Sequence, residues 1–542
     1  MRYHRDVSGY YVENFGCRAT QADGAALERQ FEELGVSRAP TPGQAAIVVL
    51  NTCTVTAAAD QDARAAIRRI QRQNPEARIV VTGCYAQRAP REVAALRGVT
   101  HVIGNSHKHQ LAEIVSGTGA ESVLDFGWRS ASSAANTGTQ WVGALAPEGP
   151  AFIPLTTLTG SATSREPEAG SPIFVSDIFA HTELLAAPVF DAANERTRPN
   201  LKIQDGCDNR CSFCVIPYVR GHSRSLEIAR IVREVNTLVN AGYREVVLSG
   251  INLGRWGRDL RPQTSGLSQT VQSGQILTSE VRGPRACPEL VEGSDAAHQK
   301  AERGSRKPRF EDLIRAILTE TALEKLRISS VEPMDWTDDL ISLVAGSPRI
   351  AKHAHVPMQS ASDAVLRRMH RKYRPWHYRE KIEKIRAAMP TAAIGADVMV
   401  GFPGETDAEF EATRRMIEDL PFTYLHVFTY SPRPGTPAAS MANQVPVHIA
   451  RERNRILREL VAAKKLAFMR GFIGKAVDAI TLNVVGNDGN GEFTEALTDN
   501  YLKLRLRGRH ESNRWLRARV EHVGNGTLVG SMTSDHSSTP LA

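Results

Sequence analysis

Cys207-Asp-Asn-Arg-Cys211-Ser-Phe-Cys214 places three cysteines at the spacing C-x3-C-x2-C, with an aromatic residue directly before the last thiol. A [4Fe–4S] cluster is normally held by four thiolates, one to each iron. Three ligands this close together leave one iron without a protein ligand, so that a small molecule can coordinate it. A structural zinc site would need a fourth N or S ligand, and the nearby His222 lies at a spacing unlike that of zinc motifs. The stretch therefore favours a cluster that takes part in chemistry.

Size and composition indicate a multidomain globular protein of the reducing cytoplasm. The 542 residues exceed the ~250–300 at which single cores stop growing. Mean hydropathy is −0.29, no run approaches the ~18 apolar residues of a membrane span, and residues 1–6 lack the apolar core of a signal peptide. Six of the seven cysteines fall into motifs that use reduced thiolates. The net charge of +8 fits RNA as a partner, but a basic protein without such a partner fits almost as well.

Residues 1–114 alternate short β-rich runs with amphipathic helical patterns, which predicts a parallel, Rossmann-like sheet. The predicted strands are Tyr10–Phe15, Ala45–Leu50, Ala77–Val81 and His101–Ile103. The predicted helices are Gln21–Leu34 and Ala58–Gln71. Cys17, Cys53 and Cys84 each lie just beyond the C-terminal end of a different strand. Since those ends line one crevice in open α/β sheets, we expect the three thiols to meet. The alternative is three separate core cysteines, each acting as a small hydrophobe.

Residues 200–440 contain six strand-like runs, separated mostly by helical patterns, which fits an incomplete (β/α)6 TIM-like barrel. The strands are predicted at Leu201–Gln204, Glu245–Ser249, Lys325–Ser329, His353–Pro357, Ile394–Val400 and Tyr424–Tyr430. The helices are predicted at Leu226–Ala241, Phe310–Thr321, Asp338–Ala345, Asp363–Arg371, Tyr378–Met389 and Asp407–Leu420. Such barrels carry their active sites on the loops at the C-terminal ends of the strands. The cysteine triad directly follows the first strand, as that rule requires.

Two stretches interrupt this organisation. Residues 115–172 are small, polar and without period, which indicates a disordered or loosely attached insertion. Residues 259–308 break an otherwise regular β/α unit, and their Cys287 is interpreted as a bystander thiol. The other predicted segments are a linker at 173–199, a helical linker at 441–470, a small β domain at 471–534 and a disordered tail at 535–542.

The chain ends in a long charged helix, predicted at His448–Met469, and a small β-rich domain. In the run 501–509, leucines alternate with four cations, Lys503, Arg505, Arg507 and Arg509. Period two puts the leucines on the core face and the cations on the opposite face. A solvated strand face is the plain alternative, since charges on the outside are routine. Four like charges on one strand without an alternating acid favour RNA.

Further motifs accompany the cysteine triad: Val215-Ile-Pro-Tyr-Val-Arg-Gly-His-Ser-Arg-Ser225, Asn51-Thr-Cys53-Thr-Val-Thr56, Thr82-Gly-Cys84-Tyr-Ala-Gln87, Ser330-Val-Glu332-Pro-Met-Asp-Trp336 and His426-Val-Phe-Thr-Tyr-Ser-Pro-Arg-Pro-Gly-Thr-Pro437. With them the chain resembles the methylthiotransferases among the radical S-adenosylmethionine (SAM) enzymes. Within that family it looks most similar to the branch (B-type) that modifies N6-threonylcarbamoyladenosine at position 37 of tRNA. The resemblance covers most of the chain apart from the two interrupting stretches.

The resemblance implies two [4Fe–4S] clusters, each with an open iron, held by Cys207, Cys211 and Cys214 and by Cys17, Cys53 and Cys84. SAM on the first cluster would yield a 5′-deoxyadenosyl radical, which is able to attack the unactivated adenine C2–H bond. The second cluster would present a sulfur, methylated by another SAM, so that C–H becomes C–S–CH3. The implied partners are the anticodon loop of tRNA and an electron donor of the flavodoxin or ferredoxin type, with no membrane and no DNA. The C-terminal domain resembles TRAM, a small tRNA-binding β-barrel.

The positions expected to contact SAM follow the ends of the barrel strands: Ser249, Gly250, Ser330, Glu332, Gln359 and Asp397. They are inferred from position and resemblance, and no catalytic residue is assigned. Gly401 and Gly404 belong to the turn after the fifth strand, where plain turn chemistry serves equally well. One dense basic run fits tRNA phosphates or a solvated helix face equally well: Arg367, Arg368, Arg371, Lys372 and Arg374.

Three functions stay open on the sequence. The leading one is methylthiolation of C2 of N6-threonylcarbamoyladenosine 37 of tRNA, with one SAM as radical source and one as methyl donor. The second keeps the chemistry but changes the substrate to isopentenyladenosine 37 of tRNA or to an aspartate of a ribosomal protein. The third is a noncatalytic iron–sulfur RNA-binding protein whose insertions have abolished activity.

Overall fold

The computed structural model describes residues 9–117, 171–182, 184–185, 198–262, 306–487 and 491–533. The chain divides into two compact units: Met1–Ala187 with Tyr218–Gly221, and Pro188–Pro217 with His222–Ala542. Tyr218–Gly221, which we predict inside the second domain, thus groups with the first unit. Cys287 and most of the two predicted insertions lie outside the described residues, as does the predicted tail. The predicted domain boundaries stay predictions.

The first unit contains a five-stranded parallel sheet in the order β1-β2-β3-β4-β5. Its strands are β1 (Tyr10–Asn14), β2 (Ile47–Thr52), β3 (Arg78–Gly83), β4 (Val99–Ile103) and β5 (Ile173–Phe174). Its helices are α1 (Arg18–Glu33), α2 (Ala57–Gln73), α3 (Cys84–Arg88), α4 (Pro90–Ala94) and α5 (Leu111–Ser116). The predicted Rossmann-like sheet is confirmed. The sequence does not predict β5, because two residues are too few to show a period.

Helices pack on both faces of this sheet, and the side chains of its inner strand β2 alternate between two cores. Val48 and Leu50 of β2 belong to one cluster, with Ile67 of α2. Val49 belongs to the other cluster, with Leu27 of α1. All six residues of β2 are buried. A parallel strand that is buried on both faces is a continuous apolar run, which is why this strand is visible in the sequence.

The second unit begins with an incomplete parallel barrel of six strands. They are β6 (Asn200–Asp205), β8 (Glu245–Gly250), β9 (Lys325–Ile328), β10 (His353–His355), β11 (Ala393–Val400) and β12 (Tyr424–Thr429), and the short β7 (Arg224–Ser225) pairs antiparallel to β6. The first three of these strands form one sheet and the last three another. A parallel bridge between Ser330 and His355 links the two sheets. The predicted partial (β/α)6 barrel is confirmed.

The helices of this barrel lie close to their predicted positions. They are α6 (Ile216–Arg220), α7 (Ile228–Asn240), α8 (Phe310–Glu320), α9 (Asp338–Gly346), α10 (Asp363–Arg368), α11 (Pro375–Ala388) and α12 (Asp407–Asp419). The prediction that α10 reaches Arg371 is wrong by three residues. His370 adopts a left-handed φ of +56°, and the Arg371 N–H donates to the Leu366 oxygen at 2.9 Å. This turn ends the helix and redirects Arg371.

The unit continues with α13 (Val447–Arg470) and a closed barrel in the order β13-β14-β15-β17-β16. Its strands are β13 (Ala476–Asn487), β14 (Glu492–Thr498), β15 (Lys503–Arg507), β16 (Trp515–Gly524) and β17 (Thr527–Met532). Leu504 and Leu506 of β15 lie in its core, as period two predicts. The predicted small β-barrel is confirmed. No helix in the described ranges is both long and apolar enough to cross a membrane.

A buried ion pair lies where the two barrels of this unit meet. Arg327 of β9 is 1% exposed and donates to Glu245 of β8 at 2.6 Å. Arg327 also donates to the main-chain oxygen of Asp499 at 3.1 Å, and its guanidinium lies 5.3 Å from the ring centre of Tyr501. Tyr501 adopts a φ of +68°, and its ring centre is 4.8 Å from that of His353. A bulky residue keeps this conformation only where its surroundings hold it, so the C-terminal barrel packs firmly on β9 and β10.

Glu245→Leu is expected to lower the free energy of unfolding by roughly 3–5 kcal/mol, because it leaves the Arg327 guanidinium buried without its counter-charge. Arg327→Met/Glu245→Leu should recover most of this loss, since an apolar pair is tolerated at such sites. The control is Glu324→Ala, which breaks an exposed 2.9 Å pair with Arg244 and should cost less than about 1 kcal/mol. Urea unfolding followed by circular dichroism measures all three. Equal losses for the two single variants would contradict the role of burial.

Candidate active site

The cysteine triad lies in the loop that leaves the C-terminal end of β6. Gln204 is fully buried and anchors the start of this loop by donating to the Gly206 oxygen at 2.9 Å. Its Oε1 accepts from the main-chain N–H of Asn252 at 2.7 Å. Gly206 has a φ of +71°, a conformation that favours glycine. The first barrel strand thus ties Cys207 to the segment that follows the second strand.

The segment after α10 holds the triad loop from another side. Ser212 Oγ donates to the Arg368 oxygen at 2.7 Å, and the Ser212 N–H donates to the Met369 oxygen at 3.2 Å. The ring of Phe213 meets that of Phe402 edge-on, with 6.4 Å between their centres. The aromatic residue before the last cysteine therefore anchors the loop in an apolar cluster.

The three thiols of the triad share one environment. Burial raises the pKa of Cys214 to about 12, and the neighbouring Cys211 and Cys207 add to this shift. Burial also raises the pKa of Cys207 to about 11. Iron binds the thiolate form of cysteine. This site disfavours a free thiolate, but iron bound to the sulfur would neutralise its charge, so the site suits cysteines that ligate a metal centre. The donor set fits an iron–sulfur cluster.

Arg371 is the residue of this site that sequence reasoning missed. Its side chain is 6% exposed, so the predicted roles on a solvated face or at tRNA phosphates do not fit it. Its Nη2 donates to Glu332 Oε2, and its Nη1 lies 3.4 Å from Cys211 Sγ. Burial raises the pKa of Glu332, and Arg371 opposes that shift. A buried guanidinium beside the cluster ligands is suited to hold a carboxylate.

Two buried polar atoms at and after the C-terminal end of β8 have no hydrogen-bond partner within the described residues, namely Ser249 Oγ and Asn252 Oδ1. Asn252 Nδ2 lies 3.8 Å from Cys207 Sγ. Buried polar groups are normally satisfied, and exceptions call for an explanation such as an absent ligand. A Cβ at Gly250 would come 2.9 Å from Gln204 Oε1, so the chain needs glycine there. The ammonium of SAM matches these two acceptors, and Asn252 is a second residue that sequence reasoning missed.

The remaining expected SAM contacts lie on β10, β11 and their loops. Gln359 has a left-handed φ of +61°, and its N–H donates to the Asp397 oxygen at 2.8 Å. Asp397 Oδ1 lies 3.2 Å from His355 Nε2. Ser330 forms a bridge with His355. The structure thus places Asp397 and Ser330 beside His355, Gln359 beside the main chain of Asp397, and Glu332 beside Arg371 and Cys211.

The turn after β11 is explained by its own geometry. Gly401 and Gly404 have φ values of +74° and +72°. The Gly401 N–H donates to Glu405 Oε2 at 2.6 Å, and the same oxygen accepts from the buried Arg453 at 2.6 Å. A Cβ at Gly401 would lie 2.5 Å from the Ala450 Cβ. Turn chemistry accounts for both glycines.

In the first unit, Cys17, Cys53 and Cys84 follow the C-terminal ends of β1, β2 and β3. Burial raises the pKa of Cys53 to about 12, and the thiols of Cys84 and Cys17 add to the shift. Gly16 has a φ of +102°, and a Cβ there would lie 2.7 Å from the Cys53 Cβ. The alternative of three core cysteines does not fit Cys17, which is exposed.

Buried cations lie close to this second triad. Asp23 accepts from Lys108 Nζ and Arg220 Nη2, each at 3.0 Å, and none of the three side chains is more than 4% exposed. Arg220 acts against burial and lowers the pKa of Cys53. Cys17 precedes α1, whose N-terminus favours negative charge. Lys108 and Arg220 together carry one positive charge more than Asp23 balances. Positive charge near the triad suits a cluster whose thiolate ligands are anionic.

Within the described residues, the thiols of neither triad form a group as compact as the ligands of a zinc ion. Tetrahedral zinc holds its sulfurs about 3.8 Å apart, because each lies ~2.3 Å from the ion. In the part of the chain that the structure describes, one set of three His, Cys, Asp or Glu ligand atoms lies within 4.8 Å, and it is His355, Asp397 and His426. The corners of a cube spread its cysteines more widely. His222, the candidate zinc ligand, is exposed and lies 2.9 Å from Asp208.

The cations expected to meet RNA differ in their surroundings. Lys503, Arg507 and Arg509 are exposed, and Arg505 is half-buried. The Arg505 guanidinium lies 4.5 Å from the ring centre of Phe493, and Arg507 pairs with Glu521 at 2.7 Å. In the basic run 367–374, acids pair with Arg367, Arg368 and Arg374. Most cations of that run therefore hold the fold as well as facing solvent.

A surface groove lies beside the C-terminal barrel, within the second unit. Its lining includes Arg244, Arg509, His510 and Arg514. Arg514 Nε lies 2.9 Å from Glu511 and Arg244 Nη1 lies 2.9 Å from Glu324. The groove thus brings Arg244 of the partial (β/α)6 barrel and Arg509 and Arg514 of the C-terminal barrel to one surface.

Residues 9–104 match a family model described as "Uncharacterized protein family UPF0004", and residues 201–417 match the radical SAM superfamily. The chain is 31% identical over 496 residues to threonylcarbamoyladenosine tRNA methylthiotransferase MtaB of Bacillus subtilis (strain 168), covering 91% of this chain and 89% of that protein. The chain belongs to the radical SAM methylthiotransferase family. It is 28% identical over 505 residues to tRNA-2-methylthio-N(6)-dimethylallyladenosine synthase of Endomicrobium trichonymphae, covering 93% and 94%. Among solved structures it is similar to the radical SAM methyltransferase TsrM of Kitasatospora setae, with 15% identity, a TM-score of 0.46 and coverage of 79% and 74%.

As a member of this family the chain is an enzyme, a transferase, and its cofactors are SAM and [4Fe–4S] clusters. The residues described above fit these groups. Two cysteine triads would supply thiolates, Arg371 would supply a buried cation, and the two unsatisfied atoms of Ser249 and Asn252 would supply acceptors.

We expect Arg371 to hold the carboxylate of SAM, so Arg371→Gln should lose a charged hydrogen bond and raise the KM for SAM roughly 10- to 150-fold. The control is Arg367→Gln from the same run, at a side chain 63% exposed, and its KM for SAM should not change. Formation of 5′-deoxyadenosine at varied SAM measures both. An unchanged KM in Arg371→Gln, with wild-type iron content, would refute the role.

Anaerobically purified protein is expected to hold about eight iron and eight sulfide ions per chain, four for each cube. Cys53→Ala and Cys211→Ala should each retain about half of that content. Cys287→Ala is the control and should retain all of it. Iron and sulfide analysis measures these contents, and a fully active preparation with about four of each would rule out two clusters.

Proposed function

We propose that this enzyme methylthiolates C2 of N6-threonylcarbamoyladenosine at position 37, in the anticodon loop of tRNA. The observation that carries the proposal is the pair of cysteine triads, one in each unit, at the C-terminal ends of parallel strands. A single cluster would serve radical formation alone. A second triad matches a reaction that also inserts sulfur. A tRNA substrate implies that the enzyme works in the cytoplasm.

When bound, the clusters, two SAM molecules and a flavodoxin- or ferredoxin-type reductant would supply the chemistry by which C2–H becomes C2–S–CH3. The inserted sulfur would be sulfide-level sulfur carried by the second cluster. One SAM would end as methionine and 5′-deoxyadenosine with the C2 hydrogen, and the other, having given its methyl group to the sulfur, as S-adenosylhomocysteine. The chain contributes ligands and orientation. Cys207, Cys211 and Cys214 hold the cluster that binds SAM. Cys17, Cys53 and Cys84 hold the cluster that carries the sulfur.

The proposed SAM site uses the groups at the ends of the barrel strands. Arg371 holds the SAM carboxylate beside Cys211, since it is a buried cation in contact with that thiol. Ser249 and Asn252 accept from the ammonium, because their buried oxygens lack partners among the described residues. Acceptors for the ribose come from the remaining expected contacts, Glu332, Ser330, Gln359 and Asp397.

The choice of nucleoside is supported by the named relatives. The threonylcarbamoyladenosine enzyme of Bacillus subtilis is 31% identical to this chain, and the dimethylallyladenosine enzyme of Endomicrobium trichonymphae is 28% identical. The same two triads would serve the alternative substrates, isopentenyladenosine 37 of tRNA and a ribosomal-protein aspartate.

The tRNA backbone is proposed to bind the C-terminal barrel. Lys503, Arg507 and Arg509 are exposed on it, and the adjoining groove adds Arg244 and Arg514. Cations clustered on one surface favour phosphates, and binding through them weakens with salt. A noncatalytic iron–sulfur RNA-binding protein would show the same surface, but it would form no 5′-deoxyadenosine from SAM.

A strain of the source organism that lacks this gene is expected to lose the methylthio form of threonylcarbamoyladenosine, because no other step of the proposal supplies the C2 sulfur. Neither Cys211→Ala nor Cys53→Ala should restore it. The purified Cys53→Ala protein should still cleave SAM, and the Cys211→Ala protein should not, since their thiols serve different clusters. Nucleoside mass spectrometry of total tRNA and a SAM-cleavage assay measure these outcomes. An unchanged nucleoside profile in the deletion strain would refute the assignment.

A further inference from the structure

Strand β12 and the residue after it carry a ring at every second position: Tyr424, His426, Phe428 and Tyr430. Residues two apart on a strand share a face. Both ends of the row are packed. Tyr424 Oη lies 2.7 Å from His353 Nε2 and 2.9 Å from His355 Nδ1. At the other end, Tyr430 meets the ring of Phe402 edge-on, at 5.5 Å between ring centres.

The two middle rings, His426 and Phe428, are exposed, and Phe428 keeps 44% of its accessible surface. The opposite face of β12 is covered, because Val427 is buried and its oxygen accepts from Asn454 of α13 at 3.0 Å. β12 is the last strand in the order β10-β11-β12, and none of the described strands pairs with its outer edge. Phe428 and His426 thus present two exposed rings, between packed rings at the two ends of the row, beside an edge of the barrel that no described strand covers.

These rings adjoin the proposed SAM site. In the parallel register His426 lies opposite Asp397, and Phe428 lies opposite Met399. Met399 packs against the apolar cluster that includes Phe402, against which Phe213 of the triad loop also packs. Neighbouring strands stand ~4.8 Å apart. A ligand that lies on Phe428 would therefore be next to SAM, where the atom to be modified has to be.

We propose that Phe428 and His426 form the binding face for the adenine ring of the substrate nucleoside. The proposal rests on the proposed function and names where its substrate base binds. A base has to leave the RNA stack before an enzyme can modify it. An exposed aromatic side chain replaces that stack, and each base stacked in this way is worth roughly 5- to 150-fold in affinity. The open edge of β12 lets the base enter while the RNA chain stays outside.

The same face offers a second occupant, a metal ion. His355, Asp397 and His426 form a set of two histidines and one carboxylate, with ligand atoms within 4.8 Å of one another. Both ring nitrogens of His355 are engaged, with Tyr424 Oη at 2.9 Å and Asp397 Oδ1 at 3.2 Å. A metal ion would have to replace the contact to Asp397, which is proposed to serve SAM. A metal ion also leaves the exposed phenyl group without a role, so the base is the preferred occupant.

Phe428→Ala, Phe428→Leu and Phe428→Tyr test the proposal with an anticodon stem-loop RNA that carries N6-threonylcarbamoyladenosine. The alanine and leucine variants should raise the KM for this RNA roughly 5- to 150-fold, and the tyrosine variant should stay within about twofold of wild type, because it alone keeps a π face. Leucine keeps most of the apolar volume and so separates stacking from packing. Phe179→Ala, at a phenylalanine 40% exposed in the first unit, is the control and should leave this KM unchanged.

Three results would overturn the proposal. The first is an unchanged KM for RNA in Phe428→Ala. The second is a KM for SAM that rises in Phe428→Ala as much as the KM for RNA does. The third is a bound metal ion, in addition to the cluster iron, that is lost in His426→Ala. A second stem-loop with dimethylallyladenosine separates this proposal from the choice of nucleoside. If the wild-type enzyme modifies only the dimethylallyladenosine stem-loop, the proposed nucleoside is wrong, and the KM of the Phe428 variants is then measured with that stem-loop. The proposed binding face is refuted if the variants have the wild-type KM for it.

Discussion

Three thiolates have to stand close together in a site with little water, and burial and mutual repulsion both oppose this. The raised pKa values of Cys53, Cys207 and Cys214 express that opposition. The two units bring their thiols together differently: in the first, the cysteines follow the ends of three parallel strands, and in the second, one loop after β6 carries all three. In each unit a buried guanidinium lies nearby, Arg220 in the first and Arg371 in the second. The strand ends set the geometry, and the buried cations favour the charged form.

The second unit carries this support beyond the cysteines. Asp397 contacts His355, whose other ring nitrogen contacts Tyr424 Oη. Tyr424 also contacts His353, and the His353 ring lies against Tyr501 of the C-terminal barrel. A chain of contacts thus runs from an expected SAM residue to a turn of the small barrel. The C-terminal barrel therefore supports the partial (β/α)6 barrel and also presents cations on its surface.

What the sequence predicts well is what depends on local pattern. The apolar run in β2 and the spacing of the cysteines after strand ends are local, and the structure shows the strands where they are expected. Arg371 and Asn252 could not be predicted in this way. One of five neighbouring arginines and lysines is buried because a left-handed turn at His370 redirects it, and that turn has no glycine to announce it. Likewise Tyr218–Gly221 groups with the first unit through contacts that are distant along the chain, such as the pair of Arg220 with Asp23.

The exposed face of β12 shows how a substrate-binding face lowers the amount of apolar surface that the fold buries. In the first unit every residue of β2 is buried, and both faces of that strand contribute to stability. In β12 one face is packed on α13, while Phe428 on the other remains open to solvent. A further strand along that edge would pair with β12 and extend the barrel, which would favour stability. It would also shut out any base that is attached to RNA on both sides. An open edge is therefore the consistent choice for a substrate that enters as one residue of a longer chain, and local departures from good packing are expected at such sites.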